Sequence, residues 1–157
     1  MRARMPLAIS IETCALAGLL PPDDAPSDFA VARSAAEWRA MLSGPEYRVL
    51  REDATEPAHS SPLAGRSAAG IYACRGCDAP LYGSAAKFDA GTGRPTFARA
   101  LPGAVLRRRV GGFLPGRRVL CRCARCDSHI GRLVEADSAG RGERHVLNGT
   151  ALVFPRA

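Results

Sequence analysis

From residue 70 onward, short runs of apolar and β-branched residues alternate with turn residues. The runs are separated by segments rich in Gly, Pro or Asp, a spacing typical of antiparallel β-structure. They predict seven strands: GIYAC at 70–74, PLYG at 80–83, AVLRRRV at 104–110, RRVLCRC at 117–123, HIGRLV at 129–134, RHVLN at 144–148 and ALVF at 151–154. We therefore predict a small, mainly β domain, either a sandwich or an open barrel of antiparallel strands.

Two short helices are predicted before the first strand. In SAAEWRAML, Ser34 and Glu37 have the spacing of an N-terminal capping box. Trp38, Met41 and Leu42 fall on one face of that helix and form its predicted apolar side. In SGPEYRVLRED a proline stands in the first helical turn, where it is tolerated. The predicted buried side of this second helix consists of Tyr47, Val49 and Leu50.

The N-terminal segment differs in composition from the rest of the chain. It ends in LLPPDDAPSD, which predicts a flexible extension over residues 1–27 before a single domain over residues 28–157. The start MRARMPLAISIETCALAGLL resembles a secretory signal in outline. Glu12 interrupts its apolar segment, so we expect a cytoplasmic protein, with export as the alternative. No run approaches the roughly 18 apolar residues of a membrane-spanning helix.

Arginine supplies almost all of the positive charge of this chain. The net charge is +7, and Lys87 is the only lysine. A basic surface suits nucleic acid or acidic partners. However, no compact basic run is interleaved with aromatic residues, and the densest run, 107–109, lies inside a predicted strand. We therefore expect no nucleic-acid partner, and we expect a monomer.

Four of the six cysteines form two C-x-x-C motifs, Cys74 with Cys77 and Cys123 with Cys126. Each motif lets two thiolates reach one ion from a single turn. Two such turns complete a tetrahedral shell with metal–sulfur distances of about 2.3 Å. We predict a structural zinc ion held by these four residues. The alternative is a pair of redox-active or disulfide-bonded motifs.

The other two cysteines, Cys121 and Cys14, do not fit this pattern. Cys121 lies two residues before Cys123, on the same face of a predicted strand. It either replaces one of the four ligands or is a spare buried thiol. The matching spacing of the two motifs favours the second interpretation. Cys14 lies in the predicted extension.

Three longer motifs, in this order, resemble methionine-R-sulfoxide reductases of the B type. They are YACRGCDAPLYGSAAKFDAGTGRPTF, CARCDSHIGRLV and GERHVLNGTALVF. The preceding EWRAMLSGPEYRVLREDATEP is similar to the helical segment that leads into them in that family. The resemblance covers residues 28–155. It implies a fold of two antiparallel sheets, with helices at the N-terminal side and a four-cysteine zinc site at the far end.

The resemblance also implies a reaction. In this family a cysteine thiolate attacks the sulfur of methionine sulfoxide in peptides or proteins, while nearby groups protonate the departing oxygen. A sulfenic acid forms on the cysteine, and a thiol reductant such as thioredoxin resolves it. The family segment Arg-Tyr-Cys-Ile-Asn corresponds here to residues 144–148, RHVLN. Val146, whose isopropyl group has no lone pair, therefore stands at the position of the nucleophile.

Other positions of the implied active site are altered as well. Arg94 stands where the family has a tryptophan that packs on the substrate methyl group, and Arg132 stands where it has a histidine. Ala136 corresponds to an acidic residue, and Thr92 to a resolving cysteine that some members keep. Besides the zinc cysteines, the retained residues are His129, Arg144 and Asn148.

This selective pattern predicts a zinc protein of the family whose reductase activity is absent or strongly impaired. Deleting a nucleophile costs on the order of 10⁶ in rate in a serine protease. The alternative is a non-catalytic binding module, in which Arg94, Arg132 and Arg144 converge to hold an anionic ligand or peptide. A third possibility is a site that has decayed without gaining a ligand.

Overall fold

Two short helices and nine strands form the part of the chain described by the structure, a computed structural model that covers residues 28–111 and 118–155. The predicted extension over residues 1–27, with its signal-like start and Cys14, lies outside these residues. The helices are α1 (Ala35–Met41) and α2 (Gly44–Arg51). The strands are β1 (Ile71–Cys74), β2 (Pro80–Gly83), β3 (Lys87–Phe88), β4 (Thr96–Phe97), β5 (Val105–Val110), β6 (Arg118–Cys123), β7 (His129–Val134), β8 (Arg144–Leu147) and β9 (Leu152–Val153).

Both helices begin at capping boxes. The backbone N–H of Glu37 donates to the Ser34 hydroxyl, and the Ser34 N–H donates back to the Glu37 carboxylate at 2.8 Å. Ser43 and Glu46 form the same pair at the start of α2. Each box satisfies backbone donors that a helix leaves unpaired at its first turn. The predicted starts of the two helices are therefore confirmed.

The buried side of α2 is confirmed, but that of α1 needs one correction. Tyr47, Val49 and Leu50 are buried. In α1, Trp38 is buried, whereas Met41 is 51% exposed. The reason is that α1 ends at Met41, and the extended backbone of the next residue turns Leu42 into the core instead.

The strands form two antiparallel sheets, as predicted. One has three strands in the order β2-β1-β9, and the other has six in the order β3-β4-β8-β7-β6-β5. All seven predicted strands are present, with ends within one residue of those expected. The sequence did not predict β3 and β4, because two residues are too few to show an alternating pattern.

Among the residues that the structure describes, neither helix has the length and apolar character of a membrane-spanning segment.

Aromatic rings join the two sheets. Phe97 of the six-stranded sheet contacts Tyr72 and Tyr82 of the three-stranded sheet, with ring centroids 5.1 and 4.7 Å apart. All three side chains are fully buried. Trp38 of α1 and Leu50 of α2 belong to the same apolar cluster. The helices and both sheets therefore share one core.

Strand pairing places four residues in one row across the six-stranded sheet. Thr96 of β4 pairs with Val146 of β8, Val146 pairs with Arg132 of β7, and Arg132 pairs with Leu120 of β6. Paired residues point to the same face of a sheet, and successive residues point to opposite faces. Since Phe97 points into the core, this row lies on the other face of the sheet, away from the aromatic cluster.

Gly131 permits the close approach of β7 to β8 behind this row. A Cβ atom at this position would lie 2.7 Å from the Cα of Leu147 and closer still to the carbonyl oxygen of Val146. Both obstacles are backbone atoms, which do not move aside as a flexible side chain does. A glycine is therefore required for this strand pairing.

We expect Gly131→Ala to lower the free energy of unfolding by about 1–3 kcal/mol, the usual cost of overpacking an interior. Gly142→Ala is the matched control, because an added Cβ there meets no atom within 4 Å. Urea denaturation of both variants measures the difference. Equal stability of the two variants would contradict the close approach of β7 and β8.

Candidate functional site

Two chain turns with the same backbone geometry bring four cysteines together. In the first, the N–H of Cys74 donates to the carbonyl of Ala79, and the N–H of Asp78 donates to the carbonyl of Cys74. In the second turn, Cys123 makes the equivalent bonds with Ser128 and Asp127. Both aspartates adopt a left-handed backbone, with φ of 59° and 56°. We call each of these C-x-x-C turns a knuckle.

The sulfur atoms of the two knuckles converge. The Sγ atoms of Cys74, Cys77, Cys123 and Cys126 all lie within 4.8 Å of one another. The closest pairs across the knuckles are Cys74 with Cys126 at 3.7 Å and Cys77 with Cys123 at 3.6 Å. Three of the four residues are buried, and Cys77 is half-buried. This geometry suits one tetrahedral metal ion with all four positions filled by protein.

The thiols are too close to ionise independently. Hydrogen bonds from Cys123 and Cys74 lower the pKa of Cys126 to about 2. Hydrogen bonds to Cys123 and Cys126 raise the pKa of Cys74 well above its usual range. Without a cation, one thiolate is stabilised by the protons of its neighbours. Four thiolates coexist only around a positive ion, and this cluster could hold one.

Cys121 is outside this cluster and lies on the core face of β6. Its Sγ is 3.8 Å from the Nδ1 of His145, and the hydroxyl of Tyr82 is 2.8 Å from the same nitrogen. Burial raises the pKa of Cys121 to about 12. Burial therefore disfavours the thiolate of Cys121, which is the reactive form of a cysteine. Its contact with His145 has no signal in the sequence, because it depends on β6 and β8 both pairing with β7 and presenting the two side chains on the same face.

A cleft of about 320 Å³ opens on the face of the six-stranded sheet that carries Val146. We call it the arginine cleft. Its apolar lining comes from the cross-strand row and its neighbours. These residues are Val110, Leu120, Gly131 and Val146. The polar lining consists of Asp53, Thr55, Arg94, Arg118, His129, Arg132 and Asn148.

Three guanidinium groups line this cleft. Arg94 is held by the carbonyl of Glu56, to which it donates two hydrogen bonds at 2.7 and 3.2 Å. Arg118 and Arg132 are exposed, and in the described part of the chain neither forms an ion pair or a side-chain hydrogen bond. The one carboxylate of the lining, Asp53, already pairs with Arg122 at 2.6 Å. The cleft therefore has an excess of positive charge.

His129 enters the cleft as a neutral imidazole. A carbonyl oxygen only accepts hydrogen bonds, so the Nδ1 of His129 carries a proton and donates it to the carbonyl of Val49 at 3.0 Å. Burial lowers the pKa of His129. The bond joins β7 to α2 and fixes the ring orientation, which leaves the other ring nitrogen as an acceptor.

The side chain of Asn148 forms its hydrogen bonds with other groups of the protein. Its Oδ1 accepts from the backbone N–H of Glu56 at 3.1 Å. The buried Glu56 carboxylate in turn accepts from the N–H groups of Gly149 and Thr150 and from the Thr150 hydroxyl, at 2.7 to 2.9 Å. Glu56 thus pins the loop after α2 to the end of β8 and, through its carbonyl, holds Arg94. The sequence did not mark Glu56, because its partners lie more than 90 residues away in the chain.

The structure does not bring all the predicted site residues together. Arg144 is outside the lining of the arginine cleft, and its guanidinium contacts the carbonyl of Gly142 at 3.4 Å. The expected convergence of Arg94, Arg132 and Arg144 therefore needs a correction. The third arginine in the cleft lining is Arg118, and Arg144 is not part of it. Strand alternation was the available signal for Arg118: it points to the same face as Leu120 and opposite to Cys121.

Two of the altered positions, Ala136 and Thr92, also lie outside the cleft lining. Ala136 is exposed beyond the end of β7. The hydroxyl of Thr92 lies 3.3 Å from that of Thr96 and donates to the carbonyl of Arg94. No sulfur atom lines the cleft within the described residues. Its chemistry is therefore that of arginine donors, one imidazole and an apolar surface.

Comparison with known proteins finds one matching family model and several similar proteins. The SelR domain model matches residues 42–156. The chain is 41% identical over 132 residues to peptide methionine sulfoxide reductase B9 of Arabidopsis thaliana, covering 83% of this chain and 90% of that protein. It is 40% identical over 119 residues to peptide methionine sulfoxide reductase MsrB of Thiobacillus denitrificans, covering 76% and 90%. A protein of the same name from Methylibium petroleiphilum is 38% identical, covering 84% and 94%.

We expect Cys126→Ser to abolish stoichiometric metal binding and to remove cooperative thermal unfolding. A four-thiolate metal site contributes about 10–16 kcal/mol, which matches or exceeds the usual stability of a domain. Cys121→Ser, which changes a sulfur outside this cluster, should keep one metal ion per chain. Elemental analysis and thermal denaturation measure both effects. Unchanged metal content in Cys126→Ser would show that the two knuckles do not form one site.

Proposed function

Because this chain belongs to the SelR family of peptide methionine sulfoxide reductases B, we propose that it is a member that keeps the scaffold but does not reduce methionine-R-sulfoxide. The single observation that supports this most strongly is the position of Val146. Its side chain lies in the lining of the arginine cleft, where the family motif has a cysteine. Carbon cannot attack the sulfoxide sulfur, so the first step of the reaction has no nucleophile.

The stoichiometry of the family reaction defines what is missing. One sulfoxide and two thiols give one thioether, one disulfide and water, and a protein sulfenic acid is the intermediate. That acid needs a sulfur atom in contact with the substrate. Without it, a reductant such as thioredoxin has no oxidised cysteine to reduce. The loss therefore removes both the reduction of the sulfoxide and the later step in which the reductant regenerates the cysteine.

No other described cysteine is a good replacement. Cys121 points to the opposite face of the sheet, and burial raises its pKa to about 12. The four cysteines of the knuckles are engaged with one another. An effective nucleophile needs both a thiolate and a held geometry, and neither condition is met near the cleft.

We further propose that the ion of the four-cysteine cluster is zinc and that it is structural. Two C-x-x-C knuckles with four thiolates are the preferred environment of this ion. All four coordination positions come from protein, so no position remains for substrate or water. The ion then supplies stability and takes no part in chemistry at the cleft.

A second candidate function, binding of an anion, is favoured by one specific observation. Arg94, Arg118 and Arg132 face the same cleft, while its only carboxylate is neutralised by Arg122. Guanidinium groups that line one cleft repel one another, and a bound anion would offset this repulsion. A carboxylate, sulfate or phosphate group would form charge-assisted hydrogen bonds with them.

We expect the wild-type protein to show no turnover of a methionine-R-sulfoxide peptide with dithiothreitol, measured by chromatography beside an active relative. Val146→Cys should show slow turnover, because it restores the sulfur while Arg94 and Arg132 remain. Val146→Cys/Arg132→His should be faster than Val146→Cys, because it also restores an acid–base group. Turnover by the wild type at the rate of the relative would overturn the proposal.

We expect sulfate or phosphate to raise the thermal midpoint of the wild-type protein, with an effect that decreases as ionic strength rises. Arg132→His should reduce this shift. Arg99→His is the matched control, since Arg99 is exposed and lies outside the cleft but the charge change is the same. Equal shifts in the two variants would locate any anion effect elsewhere on the surface.

A further inference from the structure

We propose that the ligand of the arginine cleft is an amphiphilic monoanion, in which a carboxylate is attached to a short apolar chain. This inference rests on the anion-binding proposal above and adds the chemical class of the ligand. It follows from the division of the cleft into an apolar surface and a set of guanidinium donors.

Apolar side chains from three strands line the cleft, and Arg132 lies between two of them. Val146 of β8 and Leu120 of β6 both pair with residue 132 of β7, so their side chains lie on one face with only that strand between them. Val110 of β5 adds a third apolar contact in the same lining. A thiolate at position 146 would put a negative charge among these apolar contacts, whereas the isopropyl group keeps this position apolar. This part of the lining is therefore suited to a hydrocarbon chain rather than a hydrated ion.

The charged donors lie where they can reach the head group of the same ligand. Arg118 pairs with Val110, and Arg132 stands between Leu120 and Val146 in the cross-strand row. Each arginine is thus the immediate neighbour of an apolar contact. Neither has a carboxylate partner within the described residues, and a planar carboxylate accepts two parallel bonds from one guanidinium.

The size of the cleft limits the ligand. Its volume of about 320 Å³ is at the lower end of the range for small-molecule sites. A chain of a few carbon atoms therefore fits, and a long acyl chain does not. Free alkyl carboxylates and the C-terminus of a peptide that ends in an apolar residue share this chemistry.

Isothermal titration calorimetry with the series from acetate to hexanoate, at constant ionic strength, tests the proposal. Each added methylene should tighten binding roughly fourfold, since burying a CH₂ group gives about this factor. Val146→Thr, which keeps the shape and adds a hydroxyl, should flatten this dependence. Arg132→His should weaken all members by a similar factor, and Arg99→His should change nothing. Hexylammonium should not bind.

The outcomes separate this inference from the one on which it rests. If sulfate and acetate bind as tightly as hexanoate, the cleft is an anion site and the apolar part of the proposal is wrong. If no anion binds, both proposals fail, and equal binding of hexylammonium excludes a role for the arginines. The tripeptide Ala-Ala-Leu and its C-terminal amide distinguish the sources. Tighter binding of the free-acid peptide than of hexanoate assigns the site to peptide C-termini, and the reverse assigns it to free acids.

Discussion

The convergence of four sulfur atoms is the interaction on which the rest of the structure depends. Cys74 is the last residue of β1, in the three-stranded sheet, and Cys123 is the last residue of β6, in the six-stranded sheet. A single ion at this point would tie the two sheets together at one end, while the contacts of Phe97 with Tyr72 and Tyr82 fill the space between them. An ion at this position would contribute directly to the free energy of folding.

The link and the cleft are physically separate. The knuckles follow the ends of strands, whereas Val146 lies in the middle of the face away from the core. A change of side chain on that face leaves the sulfur cluster and the aromatic contacts intact. This separation would allow the replacements that the family resemblance implies at Val146, Arg94 and Arg132 to occur without loss of the fold. Glu56 and Gly131 maintain the shape of the cleft, one through hydrogen bonds to the end of β8 and the other through close strand pairing.

The sequence predicted the parts of the fold that have local causes. A capping box indicated the start of α1, a proline in the first turn indicated the start of α2, and alternation with turn residues indicated seven of the strands. The sequence did not predict features that depend on distant packing. The exposure of Met41 depends on where α1 ends, and the contact of Cys121 with His145 requires β6 and β8 to present the same face. Arg118 replaced Arg144 in the cleft for a similar reason. Arg144 lies on the same face of β8 as Val146, but its guanidinium contacts the carbonyl of Gly142 and is not part of the cleft lining, whereas Arg118 of β6 is.

The most direct test of the central claim, that no cysteine of this protein acts as the sulfoxide nucleophile, is chemical trapping of a sulfenic acid. The metal-loaded wild-type protein is incubated with a methionine-R-sulfoxide peptide and dimedone, without reductant, and each cysteine is examined by mass spectrometry. We predict no substrate-dependent adduct on any cysteine of the wild type, and an adduct on the introduced thiol when the Val146→Cys variant is treated in the same way. A substrate-dependent adduct on Cys121 or on any other cysteine of the wild-type protein would contradict the account.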